Sequence, residues 1–216
     1  MKYNYRVKKI SDLSKGNYII SLDKGNLKFK AGQFFSLGIS QTFINREYSV
    51  CSGENDETLD FLIREVEGGI LSKKLRELKI DDEVKVLGPY GSFYLDQIDL
   101  KRKYIFIATG TGISPFMSLL KTYPEINYQL FHGIRFEEDV ISHLSEKNYF
   151  KFISKEKINK QNYFYGRISK NFDMIKDQDK NSFVFLCGNS LMVTEIYDKL
   201  INNNFKSENI FTEIFF

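Results

Sequence analysis

YIFIATGTGISPFMSLL, residues 104–120, joins an apolar run to a glycine-bearing turn and then to a helical pattern. The run 104–108 lacks polar alternation, as expected of a strand covered on both faces. Gly110 and Gly112 follow. Ser114 stands where a helix is capped, and Pro115 at the first helical position, where its missing N–H costs nothing. Such a turn lets backbone N–H groups at a helix start approach a pyrophosphate that side chains would block. A glycine turn between strand and helix is also a common structural device, and Pro115 stands where a GxGxxG pattern would have its third glycine.

Downstream, NYQLFHG (127–133), FKFIS (150–154), SFVFLCG (182–188) and IFTEIFF (210–216) read as strands. SPFMSLLKTY (114–123), a segment around Val140–Asn148 and SLMVTEIYDKLINNN (190–204) read as helices. This alternation predicts a parallel sheet with crossover helices. Upstream, to about residue 98, the runs NYIISL (17–22), GQFFSLGI (32–39), REYSVCS (46–52), TLDFLIREV (58–66), DEVKVLG (82–88) and SFYL (92–95) are separated by turn residues. They predict a small antiparallel barrel. One helix is expected there, at SKKLREL (72–78), where Leu71, Leu75 and Leu78 recur at helical spacing. The chain thus reads as two domains: an antiparallel β-barrel over 1–98 and an α/β domain with a parallel, Rossmann-like sheet over 99–216.

Composition narrows the chemistry. Cys51 and Cys187 are the only cysteines, and neither has a Cys or His neighbour at ligand spacing. An in-chain four-cysteine iron–sulfur cluster or zinc site is excluded, so any electron carrier is organic or external. The net charge of +3 and the absence of basic runs interleaved with aromatics argue against nucleic acid. No apolar run reaches membrane-spanning length and the N-terminus lacks a signal-peptide pattern, so a cytoplasmic location is expected. Residues 1–30 carry Lys2, Arg6, Lys8, Lys9, Lys15, Lys24, Lys28 and Lys30 against Asp12 and Asp23. This stretch is either a surface that steers an acidic partner or an ordinary solvated face.

The barrel half contains NREYSVCSG, residues 45–53. Strand alternation puts Arg46 and Tyr48 on one face, a phosphate clamp beside a ring able to stack on a planar heterocycle. Ser49 faces the other way unless the strand bulges or twists. A ligand with a phosphate, a large flat ring and a ring nitrogen seeking a hydrogen bond is a flavin nucleotide. EGGILSKKLREL (67–78) adds a second candidate phosphate site, with Gly68 and Gly69 making the turn and Ser72 capping the helix; the alternative is a plain capped helix. In the α/β half, Arg135 of HGIR lies where a dinucleotide fold meets the adenosine ribose, and an Arg there accommodates a 2′-phosphate, so NADP is preferred over NAD. Lys155 of FISKEK and Arg167 of YGRIS are placed to join it, or are surface charges.

Taken together, REYS, GILS, GPYGSF, GTGISPF and LCGN, in that order from about residue 30 to the C-terminus, resemble the ferredoxin/flavodoxin–NADP reductase family of the compact bacterial type. The resemblance implies FAD and NADP as cofactors. It assigns Arg46 to the flavin pyrophosphate, Tyr48 to the isoalloxazine face and Ser49 to the neighbourhood of N5. Gly69 and Ser72 fall at the pyrophosphate and Arg64 near the FAD. Gly110, Thr111, Gly112 and Pro115 line the NADP pyrophosphate, with Arg135, Lys155 and Arg167 at the 2′-phosphate. Lys155 stands where relatives often have Arg, a point charge in place of a bidentate fork, which softens the NADP preference. Cys187 is expected beside the nicotinamide or as an inert buried thiol. Glu213 is a candidate tail acid for proton handling. Phe215 or Phe216 either covers the flavin or packs in a last strand. His132 is expected at a strand end, in a structural or nucleotide-contacting role.

The activity implied is hydride exchange between NADP(H) and flavin N5, followed by single-electron transfer with an acidic carrier, ferredoxin or flavodoxin. The alternatives are an NAD(P)H-dependent reductase component of an oxygenase, a free-flavin reductase, and a binding module that has lost its flavin.

Overall fold

The computed structural model describes residues 4–39, 44–142 and 144–215. The chain divides into two compact units, one of residues up to Asp96 with Ser114–Pro124, the other of Gln97–Ile113 with Glu125 onward.

The first unit contains β1 (Asn4–Ser14), β2 (Asn17–Asp23), β3 (Phe34–Gly38), β4 (Asn45–Ser49), β5 (Thr58–Arg64), helix α1 (Ile70–Arg76) and β6 (Glu83–Tyr90). The strands form one antiparallel sheet in the order β4-β3-β6-β1-β2-β5. Its two ends meet just past β4, where Val50 bridges Phe61 and the Cys51 N–H donates to Asp60 O at 2.9 Å, giving a barrel-like closure. The core is the inward set expected from alternation, including Val7, Ile20, Leu22, Phe35, Leu37, Leu59, Phe61 and Val84.

Two elements differ from the sequence reading. The sixth strand is β1, while SFYL forms none. β1 pairs with β6 over Asn4–Arg6 and with β2 from Val7 on, with register shifts at Val7/Lys9 and Asp12/Ser14. Bulges of this kind interrupt a period-2 pattern and hide the strand from a periodicity search. Phe93 of SFYL is instead a buried plug against Phe116, ring centroids 5.9 Å apart. Its carbonyl lies where Gly32, at φ +102°, leaves room; a Cβ there would come within 1.9 Å of it.

The remaining elements are β7 (Lys103–Thr109), α2 (Ser114–Thr122), β8 (Asn127–Ile134), β9 (Tyr149–Ile153), β10 (Tyr163–Tyr165), α3 (Asp173–Lys176), β11 (Phe183–Asn189), α4 (Ser190–Asn202) and β12 (Ile210–Phe215). The strands make a wholly parallel sheet in the order β10-β9-β8-β7-β11-β12. One face packs Ile107, Phe131, Phe152, Leu186, Val193 and Ile196 into a core. No helix appears among the described residues of 140–148, where one was expected. Ile141 is buried there and its N–H donates to Tyr149 Oη at 3.4 Å, a tertiary anchor in place of a helical ladder.

The helix α2 belongs to the first unit, held there by hydrogen bonds to the segment after β4. Ser118 Oγ donates to Ser52 O at 2.6 Å, the Glu54 N–H to Thr122 Oγ1 at 3.0 Å and Tyr123 Oη to Glu54 Oε1 at 3.1 Å. Among the described residues no helix is long and apolar enough to cross a membrane.

Candidate functional site

In the first unit the candidate residues sit on β4, the end of β5 and the turn into α1. Arg46 and Tyr48 lie opposite Leu37 and Phe35 on one face, as alternation requires. Arg46 is exposed, its guanidinium donating to the Asn45 carbonyl at 2.8 Å. Tyr48 packs half-buried against the barrel core, and burial pushes its hydroxyl up to about 12, the Arg46 charge opposing. Ser49 is buried and faces Phe34 across the ladder. The β3–β4 register runs without a shift through Ser49, so no bulge turns it toward the face of Arg46 and Tyr48.

Arg64 ends β5 opposite Asn17, exposed. The turn that follows is built by its glycines: Gly68 adopts φ +74°, and a Cβ on Gly69 would fall 2.9 Å from Val66 O. Ser72 does not cap α1. Gly69 is the N-cap residue, and Ser72, in the first helical turn, reaches back so that Oγ accepts from the Val66 N–H at 3.1 Å. Tyr18 Oη donates to the Ser72 carbonyl at 2.5 Å, and Arg76 bonds Asp12 and Glu65 at 2.6 and 3.0 Å, so the turn is anchored from below and from the side.

In the second unit the candidates fall along the carboxyl edge of the parallel sheet, the edge at which open α/β sheets bind ligands. Arg167 follows β10, Lys155 follows β9 and Arg135 follows β8, three adjacent strands, and the Lys155 N–H donates to Arg135 O at 3.1 Å. All three side chains are exposed. None of the ion pairs among the described residues uses Arg135, Lys155, Arg167, Arg46 or Arg64. The next strand, β7, ends at Gly110, Thr111 and Gly112, already wound as a 3-10 turn that runs straight into α2, so Ser114 is its first residue rather than a cap. Pro115 is buried in α2. The ends of β7 and β11 are in close contact: a Cβ on Gly112 would lie 2.5 Å from Cys187 O, and the Asn189 N–H donates to Thr109 Oγ1 at 3.0 Å. Here the strand order reverses direction, the switch point where a doubly wound sheet opens a crevice.

On the far side of that point Cys187 lies in register with Glu213 of β12, its thiol donating to Glu213 Oε1 at 3.9 Å. Burial, then the Glu213 charge, pushes the Cys187 thiol well above its ordinary range, so it is neutral and not a thiolate nucleophile. Phe215 is paired in β12 opposite Asn189, and Phe211 stacks on Phe185 at 4.6 Å. Phe216 and His143 lie outside the described residues.

One side chain was not singled out by pattern. Tyr165, 57% exposed at the end of β10, presents a flat ring beside Arg167, with Lys157 Nζ 5.2 Å from its centroid. Its only sequence signal is an aromatic preceding Gly-Arg. His132 lies near the end of β8, as expected, and is buried with both ring nitrogens engaged, Nδ1 to Tyr149 Oη at 2.7 Å and Nε2 to Gly110 O at 2.8 Å.

Burial lowers the His132 pKa from 6.5 to about 4, opposed by the Gly110 bond and Asp139. An unfolded chain therefore takes up a proton near pH 6.5 that the native state refuses until about 4. The His132 contribution to stability, fully present above pH 6.5, is expected to be lost by about 1.4 kcal/mol per unit as pH drops through this window. Denaturant midpoints measured against pH should show that slope, flattened in His132→Gln; an equal slope in both would remove His132 as its source.

The basic N-terminal stretch is thinner than its composition suggests. Lys24 is buried with Nζ on Glu54 O at 2.6 Å, Lys8 and Lys30 pair with Asp23 and Asp96 at 3.7 and 3.0 Å, and Lys2 lies outside the described residues. Arg6, Lys9, Lys15 and Lys28 are exposed and outside the ion pairs of the described residues. Among the described residues no group of three His, Cys, Asp or Glu side chains could hold a metal ion.

In one unit Arg46 shares a strand face with the ring of Tyr48, and in the other Arg135, Lys155 and Arg167 follow three neighbouring strands of the sheet whose β7 runs into the Gly110–Gly112 turn. A family model described as an oxidoreductase FAD-binding domain matches residues 5–94, and one described as an oxidoreductase NAD-binding domain matches residues 106–198. A flavodoxin/ferredoxin–NADP reductase of Buchnera aphidicola subsp. Baizongia pistaciae is 30% identical over 81% of this chain and 80% of its own length. The electron transfer component of toluate 1,2-dioxygenase from Pseudomonas putida is 31% identical over 64% of the chain, a match spanning 43% of that relative. Among solved structures, a ferredoxin NADP+ reductase from Neisseria gonorrhoeae shares the fold with a TM-score of 0.83 at 21% identity, covering 99% of this chain and 98% of that one. The chain belongs to the ferredoxin/flavodoxin–NADP reductase family, as an oxidoreductase with an FAD-binding and an NAD-binding domain.

Proposed function

We propose that this chain exchanges a hydride between NADP(H) and FAD and passes single electrons to or from a small acidic carrier of the ferredoxin or flavodoxin kind. The observation that carries the NADP reading is the row Arg135, Lys155 and Arg167 at the ends of three neighbouring strands, exposed and outside every ion pair of the described residues. A dianionic 2′-phosphate is the group such a row suits; a bare ribose hydroxyl needs an acid instead.

Bound FAD supplies the conversion between two-electron and one-electron chemistry. In this reading Arg46 and Arg64 hold its phosphates, Gly69 and Ser72 shape the turn that receives the pyrophosphate, and Tyr48 stacks on the ring system. Ser49 acts near N5 only if the strand rotates as it leaves β4. Gly110, Thr111, Gly112 and Pro115 form the NADP pyrophosphate turn. Cys187, neutral and buried, shapes the nicotinamide wall, and Glu213 beside it accepts the thiol proton's hydrogen bond and is placed to handle a proton. Lys9, Lys15 and Lys28 favour an acidic partner.

A second reading, reductase component of an oxygenase, is favoured by the 31% identity to the toluate dioxygenase component. Anaerobic rapid-mixing reduction of the FAD-loaded protein decides between nucleotides. NADPH is expected to bleach the flavin faster than NADH. Arg135→Ala should raise the NADPH Michaelis constant by about tenfold, the worth of one charge-assisted phosphate contact, with NADH use nearly unchanged. Equal losses with both nucleotides would refute the placement of Arg135, and turnover with an oxygenase but no ferredoxin or flavodoxin would favour the second reading.

A further inference from the structure

Beneath the Gly110–Ile113 turn lies a chain of buried hydrogen bonds. His132 is flanked on its own strand face by Leu130 and Ile134 and on β7 by Ala108, all buried and none a hydrogen-bonding side chain, and on β9 by the buried Lys151, whose ammonium pairs with Glu146. A leucine would fill that space; the imidazole instead makes two short bonds in opposite directions.

Only one tautomer satisfies them. The Gly110 carbonyl can only accept, so Nε2 carries the proton and donates upward, at 2.8 Å. Nδ1 is then the acceptor, and Tyr149 Oη donates to it at 2.7 Å while accepting from the Ile141 N–H at 3.4 Å. The chain of donors runs Ile141, Tyr149, His132, Gly110, and each member holds the next in its orientation. Tyr149 is itself fully buried, beside Lys151, whose Nζ lies 4.6 Å from its ring centroid and is paired with Glu146. The end of the chain is the peptide that begins the turn. Gly110 sits at φ +53°, and nothing lies within 4 Å of where a Cβ would be. The bond to its carbonyl sets the plane of the Gly110–Thr111 peptide, which is rigid and trans, and so the course of the turn that follows.

We propose that His132, oriented by Tyr149, is a positioning residue for the nucleotide turn: its Nε2–H holds the Gly110 carbonyl so that the turn keeps the shape that receives a pyrophosphate. This rests on the reading that the carboxyl edge of the sheet takes NADP(H).

The test compares His132→Gln, whose amide nitrogen can reach the position of Nε2, with His132→Asn, which reaches only that of Nδ1, and with His132→Leu. NADP+ and 2′-AMP are titrated by calorimetry into the FAD-loaded protein, with thermal melting as a fold check. NADP+ binding is expected to weaken about tenfold or more in the Leu and Asn variants, because a buried carbonyl loses its partner, and to be largely restored by Gln. 2′-AMP, which has no pyrophosphate, should bind all variants alike. Equal weakening by Gln and Asn, or parallel loss of both ligands, would reduce His132 to packing and overturn the proposal. If Leu does not fold, the Gln–Asn comparison decides. A wild-type protein that binds neither ligand would instead sink the NADP reading, and the positioning role with it.

Discussion

Arg46→Ala is expected to yield a folded protein that loses most of its FAD on purification, with the FAD dissociation constant raised on the order of a hundredfold. The side chain is exposed and outside the barrel core, and its hydrogen bond among the described residues is to the carbonyl of its own neighbour, Asn45. Removing it should therefore leave the melting temperature nearly unchanged. A guanidinium bonded to a phosphate contributes about 1.5–3 kcal/mol through charge-assisted hydrogen bonds, which is a factor of ten to more than a hundred in affinity. Arg46→Lys should recover only part of this, since an ammonium keeps the charge and loses the bidentate fork. FAD titration by fluorescence quenching checks both variants. Wild-type affinity in Arg46→Ala would remove Arg46 from the flavin site and leave Arg64 as the remaining cation near it.

Gly112→Ala is expected to cripple the nucleotide domain while sparing FAD binding. A Cβ there would stand 2.5 Å from Cys187 O and 2.7 Å from Gly188 Cα, both backbone atoms. No rotamer change relieves such a clash; the end of β7 must move away from the end of β11. Overpacking of this kind costs about 1–3 kcal/mol, and the displacement falls at the switch point of the sheet. NADP+ affinity should drop at least tenfold and reduction by NADPH with it. Gly110→Ala provides the contrast: its Cβ meets nothing within 4 Å, and the cost is confined to holding φ +53°, about 1–2 kcal/mol. Calorimetry with NADP+ and the retained yellow colour of both variants measure the difference. If Gly112→Ala binds NADP+ like wild type, the contact between β7 and β11 does not shape the nucleotide site.

Much of the architecture was legible in local pattern. The change from turn-broken runs to strands alternating with helices separated an antiparallel from a parallel sheet, and both were observed. Failures came where long-range contacts override local period. The bulged β1 reads as a charged loop because only Tyr5 and Val7 of its residues are buried. SFYL reads as a strand, yet Phe93 is bound by its fit against Gly32 and Phe116. Ser72 has the spacing of a cap, but the Val66 N–H claims its hydroxyl.

Glycine turns at a strand end and before a short helix, an Arg-x-Tyr-Ser strand and the lack of metal-ligand spacing are all visible in the linear chain and narrow the kind of chemistry. Which of those residues lie side by side is a matter of strand pairing. Arg135, Lys155 and Arg167 are distant in sequence and become a row only because β8, β9 and β10 are adjacent and parallel. Cys187 meets Glu213 through the β11–β12 register, and His132 reaches Gly110 because β7 and β8 pair side by side. Hydrophobic period is a property of neighbouring residues and survives in the sequence. Strand order and register arise from pairing between segments far apart, and no local window contains them.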